Sequence, residues 1–253
     1  MSPGDAVYWL RAHRPLERPA ARLLCLPYAG GGASLFHHWS AGVPPGVEVR
    51  SAQLPGHQDR FHEPGLQSVN DIVEHLGAAL KALPQAPLVV YGHSFGALLG
   101  YALAQRLRAT PLSPRALVVG ARRAPQLPAT TSNIHHLSDS AFKQELHRRY
   151  GTSWALLQNE ELMSLAMPAL RADMAAVETY HYVPDAPLDI PILVLRARQD
   201  VSMSAEEASA WREQTTQSTM IHEVDASHLF IDTHRAWVLA RVAELLRGLS
   251  QNK

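Results

Sequence analysis

The stretch with the clearest chemical potential is a serine set between glycines, Gly92-His93-Ser94-Phe95-Gly96. It is preceded by "PLVVY", the pattern of a buried strand, and followed by "ALLGYALAQRL", the pattern of a helix. Strand, sharp turn and helix are what a nucleophile elbow requires. Glycines flank the serine because the backbone there is strained and crowded by its neighbours, and the hydroxyl projects at a helix N-terminus. Free N–H groups and the helix dipole at that end can stabilise a developing oxyanion. The alternative is a glycine-rich turn that carries an inert serine.

A serine hydroxyl needs a base, and the base needs a carboxylate to orient it. On an elbow of this type the acid follows the serine in the chain and the histidine comes last. With fourteen histidines in the chain, position must decide. His228 follows the short strand pattern "MIHEV" through a brief loop and precedes a C-terminal helical region, which is where such a base sits. His222 lies within the strand pattern and His234 beside the final helix. His135, His136, His147 and His181 fall in a long helical segment, where surface histidines are common. Asp200 comes directly after "PILVLRARQ", at the edge of the sheet that also carries Ser94 and His228. Asp185 and Asp189 precede that strand, Asp225 is too close in sequence to His228 and suits a turn, and Asp173 is a more distant alternative.

An oxyanion hole needs a second donor besides the amide after the nucleophile. "CLPYAGGGASLF" supplies one: Gly30, Gly31 and Gly32 allow backbone to approach a ligand closely, with the amides of Tyr28, Ala29 and Gly30 nearest. The segment has neither a G-x-x-x-x-G-K-[ST] nor a G-x-G-x-x-G register, which argues against phosphate cradling. One cysteine and no zinc-type histidine spacing imply no metal and no cofactor.

Around these motifs, short Leu, Val and Ile runs begin at Arg22, Val47, Pro87, Arg115, Pro191 and Met220. They read as buried strands of a mostly parallel sheet. Helical patterns alternate with them at "VNDIVEHLGAALKAL", "FGALLGYALAQRLRA", "AEEASAWREQT" and "RAWVLARVAELLRGL", which predicts a three-layer α/β fold. The alternation breaks between 122 and 187, where the pattern is helical. Ser138 can cap a helix that stops at Gly151, and Asn159 can cap another that starts with Glu160 and Glu161. Pro168 then predicts a break or a new start. The reading is one domain over 1–253 with a helical lid insertion over 122–187, or else a helical layer on the sheet edge with no role in access.

Lys+Arg and Asp+Glu both number 23, so the long-range field that would gather nucleic acid or anionic lipid is missing. The N-terminus "MSPGDAVYWLRAHRP" lacks the apolar core of a signal peptide, and no apolar run approaches the roughly 20 residues of a membrane span. The expectation is a cytoplasmic monomer with no nucleic-acid or membrane partner.

Several ordered motifs together resemble a known family, the stand-alone type II thioesterases of polyketide synthase and nonribosomal peptide synthetase systems, within the α/β-hydrolases. They are "CLPYAGGGASLF" with Trp39, "QLPGHQDRFHEP", "YGHSFGALLGYALA", "ALRADMAAVETY" and the loops of Asp200 and His228, spread over nearly the whole chain. The resemblance implies an α/β-hydrolase fold with catalytic Ser94, Asp200 and His228, backbone oxyanion donors at Ala29 and Phe95, and a lid. It also implies hydrolysis of acyl thioesters on the phosphopantetheine arm of acyl or peptidyl carrier proteins, as proofreading. The alternatives are a dedicated chain-releasing thioesterase, a small-ester esterase and a non-catalytic carrier-binding module. The chain departs from the family at "RARQDVSMS" and "DASHLFI", where members commonly carry glycines. For Arg60 and its loop "LPGHQDR" the reading is a segment packed beside the active site.

Overall fold

In the computed structural model, which describes residues 3–251, the six apolar runs form parallel strands. These are β2 (Ala21–Leu26), β3 (Val47–Ala52), β4 (Leu88–His93), β5 (Ala116–Gly120), β6 (Ile192–Ala197) and β7 (Thr219–Val224). A seventh strand, β1 (Leu10–Ala12), pairs antiparallel with β3 and places Leu10 opposite Ala52. Three residues are too few to show periodicity, so the sequence does not announce it. The sheet order is β1-β3-β2-β4-β5-β6-β7.

Alternation along the strands divides the core between the two faces. Leu24, Leu26, Val90 and Val119 pack with α1 (Pro3–Trp9), α2 (Val69–Lys81) and α3 (Phe95–Leu107). Leu23, Cys25, Val89, Tyr91 and Leu195 pack on the other face with Val238, Val242 and Leu246 of α9 (Arg235–Gln251). The chain leaves β2 towards β3 on one side and returns to β4 on the other. The gap between β2 and β4 is therefore the switch point, where a crevice opens at the carboxyl ends of the strands. Leu26 at the end of β2 lies opposite Gly92 of β4, so the glycine-rich loop and the Ser94 turn flank that crevice.

Between β5 and β6 the chain forms α4 (Asp139–Tyr150), α5 (Trp154–Leu157) and α6 (Glu160–Glu178). Ser138 Oγ caps α4 by accepting from the Ala141 N–H, and Gly151 ends it in the left-handed region at φ 66°. Asn159 Oδ1 accepts from the Leu162 N–H at the start of α6. Pro168 does not break α6, contrary to the sequence expectation. Met163, Met167, Ala169, Ala172 and Met174 are buried around it, and that packing outweighs the about 3 kcal/mol an interior proline costs. The "AEEASAWREQT" pattern divides into α7 (Ala205–Ser209) and a 3₁₀ turn, Ala210–Gln214. The last short helix, α8 (Phe230–Thr233), precedes α9.

The two glycines around Ser94 are demanded by close approach. A Cβ at Gly92 would sit 2.0 Å from the Gly96 carbonyl oxygen, and one at Gly96 would sit 2.1 Å from the Leu26 carbonyl oxygen. These are backbone atoms, which cannot swing away. Gly96→Ala is expected to cost at least about 3 kcal/mol in urea denaturation. Gly151→Ala, which meets no atom within 4 Å, should cost about 1 kcal/mol for its positive φ. Equal losses would contradict the packing account.

Candidate active site

Ser94 is the single residue between β4 and α3, and its backbone lies at φ 53° and ψ −109°. Its N–H donates to the Gly120 carbonyl of β5 at 2.7 Å, and its carbonyl accepts from the Ala97 N–H of α3. The turn is therefore tied to both neighbouring elements. The Ser94 Oγ is 3.0 Å from Nε2 of His228. His228 Nδ1 is 2.8 Å from Oδ2 of Asp200, with both side chains buried. A carboxylate only accepts, so Nδ1 carries the proton and Nε2 presents a lone pair to the serine hydroxyl.

The two loops that carry these side chains contain no glycine and are stitched together by hydrogen bonds. The Arg198 and Gln199 N–H groups donate to the Val224 and Ala226 carbonyls. The Gln199 side-chain amide donates to Asp225, which gives that residue its turn role. Asp200 is also held by Ser202, whose N–H and hydroxyl both donate to Oδ1, at 2.9 and 2.7 Å, and whose hydroxyl oxygen lies 3.1 Å from His228 Nδ1. Burial works to raise the Asp200 pKa, but the hydrogen bonds from His228 and Ser202 hold it below the usual value. The other aspartates are engaged elsewhere: Asp185 with Arg108, Asp189 with Thr216 and Gln217, and Asp173 with His57.

Three contributors escaped the sequence reading. Ser202 is one, with only its place two residues after Asp200 as a signal. Tyr150, the last residue of α4, sets its ring 5.1 Å from the His228 ring. His93 lies fully buried beneath the relay, and its Nε2–H donates to the His228 carbonyl at 2.8 Å.

Of the backbone donors after β2, the Gly30 N–H is taken by Asp173 Oδ2 at 2.7 Å and the Gly31 N–H by the Tyr28 carbonyl. Phe95 begins α3, where an N–H has no intrahelical acceptor. Ala29 and Phe95 both line the cavity that holds Ser94. The glycine-rich loop is anchored below by Phe36, which meets Tyr91 edge-on, and by Trp39, whose ring is tilted against the same tyrosine. Arg60 donates to the Gln53 carbonyl and pairs with Glu63, and Gln53 Oε1 accepts from the Ala33 N–H. The "LPGHQDR" segment thus packs beside the site and braces its loop.

Two cavities meet at Ser94. One of about 450 Å³ has an apolar wall that includes Leu156, Leu162, Met163, Leu170, Met174 and Val177. The other, of about 370 Å³, is polar and includes Arg122, Arg123, Arg148 and Arg149. Tyr150, Arg122 and His228 border both. Among the described residues no cluster of His, Cys, Asp or Glu could hold a metal ion, and no helix is long and apolar enough to cross a membrane.

A mostly parallel sheet with a serine on the turn after β4, an aspartate after β6 and a histidine after β7 defines an α/β-hydrolase fold. Residues 21–247 match the thioesterase domain family, and the chain belongs to it. It is similar to a probable cadicidin biosynthesis thioesterase of Streptomyces griseus, at 36% identity over 95% of this chain and 66% of the relative. It is also similar to the thioesterase PikA5 of Streptomyces venezuelae, at 38% identity over 90% of this chain and 82% of that one. Among solved structures, the type II thioesterase BorB from the borrelidin biosynthetic cluster superposes with a TM-score of 0.86 at 36% identity, covering 94% of this chain and 97% of that one.

His93 makes the site acid-sensitive. Burial, then the neighbouring His228, push its pKa down to about 3. An unfolded histidine binds its proton near pH 6.5. Stability from the neutral form is complete above that value and is lost as pH falls towards 3. Between pH 7 and pH 4 this loss is about 3 kcal/mol. His93→Gln keeps a donor for the His228 carbonyl and cannot titrate. Urea midpoints at the two pH values should fall less for the variant than for the native chain, and equal falls would contradict the assignment.

Proposed function

We propose that this chain hydrolyses acyl thioesters carried on the phosphopantetheine arm of acyl or peptidyl carrier proteins, with Ser94 as nucleophile, His228 as base and Asp200 as its orienting acid. His228 Nε2 takes the Ser94 proton as Oγ attacks the thioester carbonyl, and the amides of Ala29 and Phe95 hold the oxygen that becomes negative. The carbon–sulfur bond breaks, the thiol leaves with the proton from His228, and the acyl group remains on Ser94 as an ester. His228 then takes a proton from water, hydroxide adds to the ester carbonyl, and the acid departs as Ser94 recovers its proton. Asp200 stabilises the imidazolium formed in each half. The residues present need no metal or cofactor for these steps.

The observation that carries this reading is the meeting of two unlike cavities at one serine hydroxyl. The apolar one suits an acyl chain. The polar one, with arginines at its wall, suits an arm of amides ending in a phosphodiester. A hydrolase of small soluble esters has no use for the second. The helical segment 122–187 supplies wall to both cavities, which suits a lid within a single domain. Relatives named for cadicidin and borrelidin biosynthesis and for an NRPS/PKS pathway support a place beside polyketide or nonribosomal peptide assembly, and the match to a type II thioesterase supports proofreading of misloaded carriers. On this reading the enzyme works as a cytoplasmic monomer, docked transiently to its carrier.

Intact-protein mass spectrometry of acyl-loaded carrier protein tests the reading. The native chain should remove the acyl mass and Ser94→Ala should not. If the carrier stays loaded while p-nitrophenyl acetate is cleaved, the small-ester reading replaces this one. Met174→Trp fills the apolar cavity and should raise KM for a long acyl chain about tenfold while leaving the acetyl form little changed. An equal effect on both would remove the acyl chain from that cavity.

A further inference from the structure

The relay uses neither member of a buried ion pair that lies beside it. His57, in the loop after β3, places Nε2 2.8 Å from Oδ2 of Asp173 on α6, with both side chains only 3% exposed. On the other side of the ring, Nδ1 is 3.0 Å from the Pro55 carbonyl oxygen. A carbonyl cannot donate and a carboxylate accepts, so both ring nitrogens donate and the ring is an imidazolium. Burial works to lower the His57 pKa, but the Asp173 charge and hydrogen bond, with the Pro55 carbonyl, raise it above its usual value.

The Asp173 oxygen that meets His57 also accepts the Gly30 N–H at 2.7 Å. Gly30 has φ 79°, and a Cβ there would lie 2.9 Å from Leu170, one helical turn before Asp173. One carboxylate oxygen of α6, the longest helix of the insertion, therefore binds two other segments, the glycine-rich loop and the loop after β3. Gly30 directly follows Ala29, whose amide faces the reacting carbonyl in the mechanism above. A buried ion pair adds little to stability over an apolar pair of similar size, so its place against this one peptide needs another reason.

We propose that His57 and Asp173 are positioning residues for the oxyanion hole: by fixing the Gly30 peptide they aim the adjacent Ala29 amide and tie that aim to the seating of α6. The charge on His57 fixes the orientation of the Asp173 carboxylate, and the carboxylate fixes the loop. This inference rests on the hydrolytic mechanism proposed above. The loss of aim acts on the transition state, where the oxygen is negative, more than on the bound thioester.

The test compares the native chain with Asp173→Asn and with the double variant His57→Leu/Asp173→Leu, which removes both charges together and leaves none buried unpaired. Two ligands complement the kinetics. An acyl trifluoromethyl ketone adds Ser94 to give an oxyanion adduct, and a pantetheine thioether of the same chain length has no carbonyl to react. For the double variant, kcat on acyl-pantetheine should fall on the order of 10²-fold with KM within about threefold. Its ketone inhibition constant should rise by a similar factor while thioether affinity stays within about threefold. Asp173→Asn retains an acceptor oxygen and should fall between the two. An unchanged kcat in folded variants, or equal losses of ketone and thioether binding, would overturn the proposal.

If the double variant fails to fold, the native chain still decides one premise, because nitrogen-15 shifts of the His57 ring must show both nitrogens protonated. A neutral tautomer overturns the proposal. The ketone needs no carrier protein, so a native chain that forms the adduct yet leaves carriers loaded would refute the carrier reading alone. A native chain that forms no adduct would refute both.

Discussion

The backbone of Ser94 sits at φ 53° and ψ −109°, in a region that costs a non-glycine residue about 1–3 kcal/mol. The rest of the site depends on that constraint being met. It is met by close packing: α3 approaches β4 and the end of β2 so nearly that neither Gly92 nor Gly96 has room for a methyl group. It is fixed by the bond from the Ser94 N–H to Gly120. With the turn held, the hydroxyl stands clear of the sheet within reach of His228, and the first N–H of α3 is left without an acceptor beside it. Relaxing the turn would move nucleophile and oxyanion donor together.

Three buried histidines around this turn are set to three different tasks by their neighbours. His228 has a carboxylate on one nitrogen and a hydroxyl on the other, which aims its Nε2 at Ser94 as a base. His93 has a carbonyl on one nitrogen and the Tyr91 hydroxyl near the other, with no anion in contact, so burial keeps it neutral. It serves as a fixed donor that supports the His228 loop from below. His57 faces an acceptor on each side and keeps its charge. Identical side chains differ here because partner type and solvent access set the cost of charge.

Much of the fold was legible because parallel strands buried on both faces read as continuous Val, Leu and Ile runs. Strand order placed the loops of Ser94, Asp200 and His228 at one edge, and the structure brings those three side chains together. Other features depend on long-range packing that one sequence does not display. β1 is three residues long and exists because β3 offers it an edge. α6 runs through Pro168 because buried methionines and alanines hold its flanks. Ser202, Tyr150 and His93 reach the relay only once loops and insertion have folded. Asp173, weighed from sequence as an alternative acid, lies against His57 and Gly30 because α6 packs on the glycine-rich loop.

The central claim, a covalent acyl-enzyme on Ser94, is tested most directly by rapid-quench intact-mass measurement of the chain mixed with acyl-loaded carrier protein. The account predicts a transient species heavier by one acyl group, localised to the Ser94 peptide and absent in Ser94→Ala. Release of acid by the native chain in a single turnover with no acylated species at any time after mixing would contradict it.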